Sequence, residues 1–257
     1  MTEDLLGASD VFRGVFKYMA KVCPATSSFV LYLDCQECVW GRRCKNMSDT
    51  RSSSRVCIGI DQSYKRTGVS VAVDNKLKQC RSIDLSQFLT KAEKRQATRS
   101  FVGHCLEACL KKHDDVTVVL ERTRTFSQQF LSIPYIKSMG ALNAAVADEA
   151  FFHGVKCYSI DTRAWKSGVV GTSKPAKHSK YGMDTKKLPT AEWLLKEDRK
   201  QFMHAVVELP EKSRREKGTF ISEQTGKRCE IDDDLCDSAA IALSWFRCAP
   251  DRFLEEN

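Results

Sequence analysis

Two short runs, VCIGID at 56–61 and VTVVLE at 116–121, constrain this chain more than anything else in it, because each is an almost unbroken apolar stretch that closes on a carboxylate. Runs of this length and composition fit strands buried on both faces. A lone carboxylate is costly to bury, so Asp61 and Glu121 need company. A third acidic place supplies it: DDDLCDSAAIAL at 232–243 opens a helix in which Asp234 and Asp237 stand three residues apart on one face, with Ile241 continuing that face into the core. Asp232 and Asp233 fit the simpler role of partners to a helix dipole. Carboxylates from two strand ends and one helix start meet most simply around divalent metal. An all-oxygen set suits Mg²⁺ or Mn²⁺ rather than zinc. Two such ions about 4 Å apart activate a water and stabilise the leaving oxygen in phosphodiester cleavage.

The elements between these acids come in a readable order. After the strand at 56–61, the turn QSYKRTG leads into TGVSVAV, where Val69, Val71 and Val73 share one face at a two-residue period. A third strand near 78–84 completes an antiparallel meander. Helical spacing follows over about 89–112, then the strand at 116–121, a long helix over about 127–152 and a strand at 155–160. A short helix containing Trp165, capped by Asp161 and Thr162, comes next. A helix over about 190–208 precedes GTFISEQTGKRCEI, which reads as a hairpin turning at Thr225 and Gly226, and a helix over 233–247 closes the series. The pattern predicts an α/β fold with a mixed five-stranded sheet and helices on both faces. In the long helix the small residues from Gly140 to Ala147 permit close approach, either to the sheet or to a second subunit.

Charge is unevenly placed. The chain of 257 residues carries a net +8, and residues 163–228 hold 16 Lys and Arg against 8 Asp and Glu, so that this segment accounts for the whole excess. Such a segment is either the footprint of a polyanion-binding face or a solvated surface that happens to be basic. The N-terminus has no basic and apolar leader pattern, and no apolar run approaches the ~20 residues a bilayer requires. A protein of the intracellular, reducing compartment is expected, because of the 12 cysteines Cys57, Cys105, Cys109, Cys157, Cys236 and Cys248 fall inside strand or helix patterns as small hydrophobes. Residues 1–54 form a separate extension ending in the Ser-rich SDTRSSSR, with 55–250 as the main domain. In the extension Cys23, Cys35, Cys38 and Cys44 are either four thiolate ligands for a structural Zn²⁺ or free thiols. Met47 is a possible alternative start.

The motifs taken together resemble the RuvC family of Holliday junction resolvases, in the RNase H-like superfamily, over roughly residues 56–247. IGIDQSYKRTGVSV resembles the family's first strand and hairpin, VVLERT its second acidic strand, DDDLCDSAAIAL its closing helix, and KSGVVGTSKPAK its basic catalytic loop. The resemblance implies metal ligation by Asp61, Glu121, Asp234 and Asp237, with two Mg²⁺ or Mn²⁺ per site. It matches Lys166 and Lys177 to the loop's two lysines, with Lys177 the expected catalytic one and Lys166 either positioning the backbone or covering apolar surface beside Trp165. Lys166, Lys174, Lys177, Arg124 and Phe126 are the expected DNA contacts. Arg124 stands where the family has an aromatic, and Phe126 two residues on either stacks on an unpaired base or staples the following helix to the core. An insertion at about 186–230, carrying KSRREK and the hairpin, exceeds the family's usual connection. The implied function is a homodimeric, metal-dependent endonuclease that resolves four-way junctions by paired symmetric nicks. The rivals are a nuclease of the same fold acting on flaps, forks or RNA-containing duplexes, and a non-catalytic protein that binds branched DNA. No membrane partner is expected.

Overall fold

The computed structural model describes residues 52–122, 133–178, 183–209, 219–222 and 225–256. Residues Arg51–Asn257 form one compact unit and Met1–Thr50 another. The latter, with Cys23, Cys35, Cys38, Cys44 and Met47, lies outside the described residues, as do Arg124 and Phe126 and the KSRREK stretch.

The main sheet is built from β1 (Ser52–Gln62), β2 (Arg66–Val73), β3 (Lys76–Asp84), β4 (His113–Glu121), β5 (Lys156–Ile160) and β9 (Phe253–Glu255), in the order β3-β2-β1-β4-β5-β9. β1, β2 and β3 pair antiparallel, β1, β4 and β5 pair parallel, and β9 returns antiparallel on β5. These first five strands form the expected mixed sheet. The expected five strands become six because Phe253–Glu255 turns back after the 3₁₀ turn Pro250–Arg252. Phe253 meets Trp245 edge to face with ring centroids 5.0 Å apart, which holds the short strand against the sheet.

Alternation along the strands divides the molecule. Val56, Ile58 and Ile60 of β1, Val69 of β2 and Val118 and Leu120 of β4 face one core with Val102 and Leu106 of α1 (Lys91–Leu110) and Val146 and Ala150 of α2 (Ile133–Phe152). Thr90 and Glu93 close a capping box at the start of α1. On the other face Cys57, Ala72 and Val119 meet Ala240, Ile241, Ala242 and Leu243 of α6 (Asp233–Arg247). Period two therefore turns Asp61, with Gly59 and Cys57, toward α6, and Glu121, with Val119, to the same side. Two glycines let α6 sink onto the sheet. A Cβ at Gly59 would lie 2.2 Å from Ala242 N, and one at Gly68 would lie 2.1 Å from the Asp234 carbonyl oxygen. Ser70 and Ser238 hydroxyls join at 2.8 Å across this contact.

Outside α6 lies a third layer. The helix expected over 190–208 is two helices, α4 (Leu188–Glu197) and α5 (Arg199–Ala205), followed by β6 (Val206–Glu208). Asp198 causes the break: its extended backbone leaves the helix, and its carboxylate accepts from the Gln201 N–H at 3.0 Å to start the next. The expected hairpin is present as β7 (Phe220–Ile221) and β8 (Arg228–Ile231), with Gly226 at φ +66°, and β6 joins β8 to make a second sheet of order β6-β8-β7. Leu188, Ala191 and Leu194 of α4, with Phe202 and Ala205 of α5, pack on Leu235, Cys236 and Ala239 of α6. β1 begins inside the serine-rich stretch read as linker, pairing Ser52 and Arg55 with His113 and Asp115. No helix among the described residues is long and apolar enough to cross a membrane.

Candidate metal centre

Parallel pairing sets Ile60 beside Leu120, so the next residues, Asp61 and Glu121, leave adjacent strands at the same end and on the α6 face. The first two turns of α6 descend onto that end because Gly68 admits the Asp234 backbone. Asp232, the N-cap, fixes the entry angle: its carboxylate accepts from the Leu235 N–H at 3.1 Å and from Ser82 Oγ at 2.5 Å, and Arg66 lies 3.5 Å away. Asp234 and Asp237 are thereby brought to Asp61 and Glu121.

Their electrostatics record the convergence. Burial holds the Asp61 carboxyl well above the usual carboxylate range, and the charges of Glu121, Asp234 and Asp237 raise it further. Burial, then Asp233 and Asp232, push Asp234 up to about 7, against relief from Lys187. Burial pushes Asp237 up to about 7 as well, with Lys166 the largest opposing influence and Glu121 adding to the rise. Each of these shifts measures how poorly the ionised group is compensated.

Hydrogen bonds orient the set. Thr162 Oγ1 donates to Glu121 Oε1 at 2.8 Å, and Trp165 Nε1 donates to Oε2 at 3.1 Å. Both donors come from α3 (Thr162–Trp165), capped by Asp161 as expected, and Trp165 is fully buried. Ser63 Oγ donates to the Arg66 carbonyl at 2.6 Å and lies 3.3 Å from Asp234 Oδ2. Behind the strand ends, Gln62 Nε2 donates to the Glu121 carbonyl at 3.2 Å and to Asn143 of α2. Asp237 differs from its neighbours: its Oδ1 is buried with no hydrogen-bond partner. The Thr190 hydroxyl tempers the Asp237 charge but is itself buried without a partner in bonding geometry.

Among the described residues, no three His, Cys, Asp or Glu side chains form a ready-made metal cage. The set nevertheless fits a hard divalent cation in chemistry. It consists of carboxylate oxygens alone, the acids raise one another's pKa, and one buried oxygen lacks a partner.

The expected lysines separate. Lys166 opens the π-helical turn Lys166–Val170, its Nζ 5.0 Å from the Trp165 ring centroid, and its charge acts on Asp237, so it both covers an aromatic face and serves the acids. Lys174 and Lys177 are exposed on the following loop, and neither side chain makes a hydrogen bond or ion pair among the described residues. The lysine that does meet the acids is Lys187. It pairs with Asp233, and Asp234 and Asp237 also raise its pKa. Nothing in the sequence separated Lys187 from the other cations of the basic segment. Its neighbour Pro189, in the first turn of α4, is what sets it at a helix start facing α6. Thr162 and Trp165, too, were legible as a helix start but not as the donors that hold Glu121.

No protein-family model matches the sequence, and no curated protein matches it. Solved structures do. Thermus thermophilus RuvC aligns over 74% of this chain and 92% of its own at 19% identity and a TM-score of 0.45. The same protein in complex with a Holliday junction substrate gives 20% identity, the same coverage and a TM-score of 0.46. The yeast mitochondrial Holliday junction resolvase Ydc2 aligns over 78% of this chain and 80% of its own, at 16% identity and a TM-score of 0.43. The chain is structurally similar to junction resolvases at low identity.

Proposed function

We propose that this protein is a metal-dependent endonuclease that cuts branched DNA, four-way junctions foremost, by paired symmetric nicks. The observation that carries the reading is the buried, partnerless Oδ1 of Asp237 among three further carboxylates drawn from two strand ends and one helix. Mutual repulsion in such a group calls for a cation, and Asp61, Glu121, Asp234 and Asp237 would hold it. Divalent ions bound there supply an activated water and charge stabilisation for phosphodiester hydrolysis.

The chain's own residues do the rest. Thr162 and Trp165 fix both oxygens of Glu121. Lys187 and Lys166 bring positive charge to the rim of the acids, where each can stabilise charge developing on a transferring phosphoryl group. In this proposal Lys187 takes the catalytic role that the family resemblance implies for Lys177. Lys174 and Lys177 serve as phosphate contacts on the exposed loop, where ammonium groups add affinity that salt weakens. Arg124 and Phe126 keep the DNA contacts assigned to them.

A four-way junction is approximately two-fold symmetric, so paired nicks call for a homodimer. On α2, Leu142, Val146 and Ala150 are buried, while Gly140 and Ala144 are exposed. The exposed side is the proposed dimer face. In the N-terminal extension Cys23, Cys35, Cys38 and Cys44 remain the proposed ligands of a structural zinc, with one equivalent per chain expected by metal analysis.

Cleavage of a four-way junction, a Y-fork, a flap and an RNA–DNA duplex side by side in Mg²⁺ tests the substrate. Preference for the junction supports the proposal, and preference for another member reassigns the substrate within the same chemistry. Tight junction binding without any nick would make the protein a binding module instead.

A further inference from the structure

A second feature borders the carboxylates. α3, the Lys166–Val170 turn and the loop that follows enclose a cavity of about 320 Å³ lined by Thr162, Arg163, Lys166, Ser173, Pro175 and Lys186. Three cations and two hydroxyls face it, and no acid does. Like charges gathered around a concave space create a positive potential that attracts an anion. A guanidinium with two ammonium groups and the Ser173 hydroxyl is a donor set for phosphate oxygens, the Thr162 proton being given to Glu121. Arg163 and Lys186 are exposed and are engaged in no side-chain ion pair among the described residues, so their charge is available to a ligand.

The cavity is joined to the candidate metal centre by two residues. Thr162 lines it and donates to Glu121 Oε1 at 2.8 Å, while Lys166 lines it and tempers Asp237. An anion seated there stands beside the acids, not on them. Lys174 and Lys177, exposed on the loop that also provides Ser173 and Pro175, carry positive charge onward from the cavity. A single free phosphate has no use for that extension, whereas a nucleic-acid strand does.

We propose that this cavity seats the backbone phosphate next to the one that is cut, and so selects which phosphodiester of the strand reaches the carboxylates. The inference rests on the nuclease reading and adds to it a second phosphate subsite that sets the position of the nick.

Neutral methylphosphonates placed one at a time along the cut strand of a four-way junction test it, with wild-type protein compared with the Arg163→Gln/Lys186→Gln double variant. Both positions are exposed and in no side-chain ion pair among the described residues, so an unchanged melting temperature is expected of the double variant. Wild type should lose about tenfold in affinity at one position adjoining the nick. The double variant should lose nothing further there, should show a salt dependence of binding shallower by about one unit of slope, and should spread its nicks over neighbouring phosphates. Methylphosphonate effects that add to the double substitution at every position, or an unchanged salt slope and nick position, would overturn the subsite. A melting temperature of the metal-free protein raised by inorganic phosphate, with junction affinity unaltered in the double variant, would assign the cavity to a free anion and also overturn it. The affinity measurements repeated in an Asp61→Asn background need no cleavage, so they read the subsite even if the nuclease reading fails.

Discussion

Two cavities flank the carboxylates, and their charges are used in opposite ways. The larger, about 410 Å³, has Lys65, Arg66 and Lys187 on its walls together with Asp84, Glu230, Asp233 and Asp234. Two of its three cations are engaged with acids: Arg66 meets Glu230 at 3.4 Å and the neighbouring Asp232 at 3.5 Å, and Lys187 meets Asp233, while Lys65 is exposed. These pairs tie the β6-β8-β7 sheet and α4 to the start of α6. The smaller cavity has the same number of cations, Arg163, Lys166 and Lys186, and no acid. Arg66 is used within the fold, whereas Arg163 and Lys186, in no side-chain ion pair among the described residues, keep their charge for a ligand. Lys187 does both, pairing with Asp233 while its charge also reaches Asp234 and Asp237. Within the basic segment of residues 163–228, Lys187 pairs with Asp233 and Lys227 with Glu208, whereas Arg163 and Lys186 are in no side-chain ion pair among the described residues.

The largest effect expected concerns the acids between the cavities. Asp61→Asn, Glu121→Gln, Asp234→Asn and Asp237→Asn should each lower the single-turnover nicking rate at saturating Mg²⁺ by at least about 10³, while junction affinity changes little. A near-normal rate for any one of them removes that residue from the centre.

The comparison itself is broken or sharpened by two arginines. Arg66→Ala should cost about 3 kcal/mol in denaturant unfolding, toward the lower end for a buried pair, because 21% of its side chain is exposed while Asp232 is 1% exposed. Arg163→Ala should leave unfolding unchanged and weaken only DNA binding. Equal destabilisation by both would erase the distinction between the cavities.

Lys187 and Lys177 divide on another line, since the charge of Lys187 reaches the acids while Lys177 stands exposed on the loop. Lys187→Ala should slow cleavage of a pre-bound junction about 10²-fold, whereas Lys177→Ala should mainly raise the dissociation constant and its sensitivity to salt. The opposite pattern would return the catalytic role to Lys177.

A smaller, pH-dependent effect follows from the raised carboxyls. Asp234 and Asp237 stand at about 7 in the folded protein against an ordinary 3.8, so between about pH 4 and 7 the folded state holds protons that the unfolded chain has released. Metal-free stability should therefore fall as pH rises through that window. Mg²⁺ at about a hundred times its dissociation constant adds ~2.7 kcal/mol. This gain should be seen in thermal melts near pH 8 and be much reduced near pH 5, where protons compete for the same oxygens.

How much of this was legible follows from which forces are local. Asp61 and Glu121 could be placed at strand ends because period two and an unbroken apolar run leave few alternatives. The closing helix was read over 233–247 and spans Asp233–Arg247, since the N-cap Asp232 and the acids of its first turn are written in consecutive residues. The break at Asp198 was missed because helical periodicity continues through it, and only the side chain's bond to Gln201 N–H decides between continuing and restarting. β9 was missed because a strand of three residues carries almost no pattern and is set by Phe253 against Trp245. Lys187 was invisible for a related reason. Its partner Asp233 lies 46 residues away, and proximity of that kind is created by the packing of α4 on α6.

Crystals of the metal-free protein soaked in Mn²⁺ and measured for anomalous scattering test the central claim most directly. Manganese peaks within coordinating distance of Asp61, Glu121, Asp234 and Asp237, one of them touching Asp237 Oδ1, are the predicted result. Saturating Mn²⁺ that leaves these four carboxylates without a peak, or that binds only elsewhere on the chain, would contradict it.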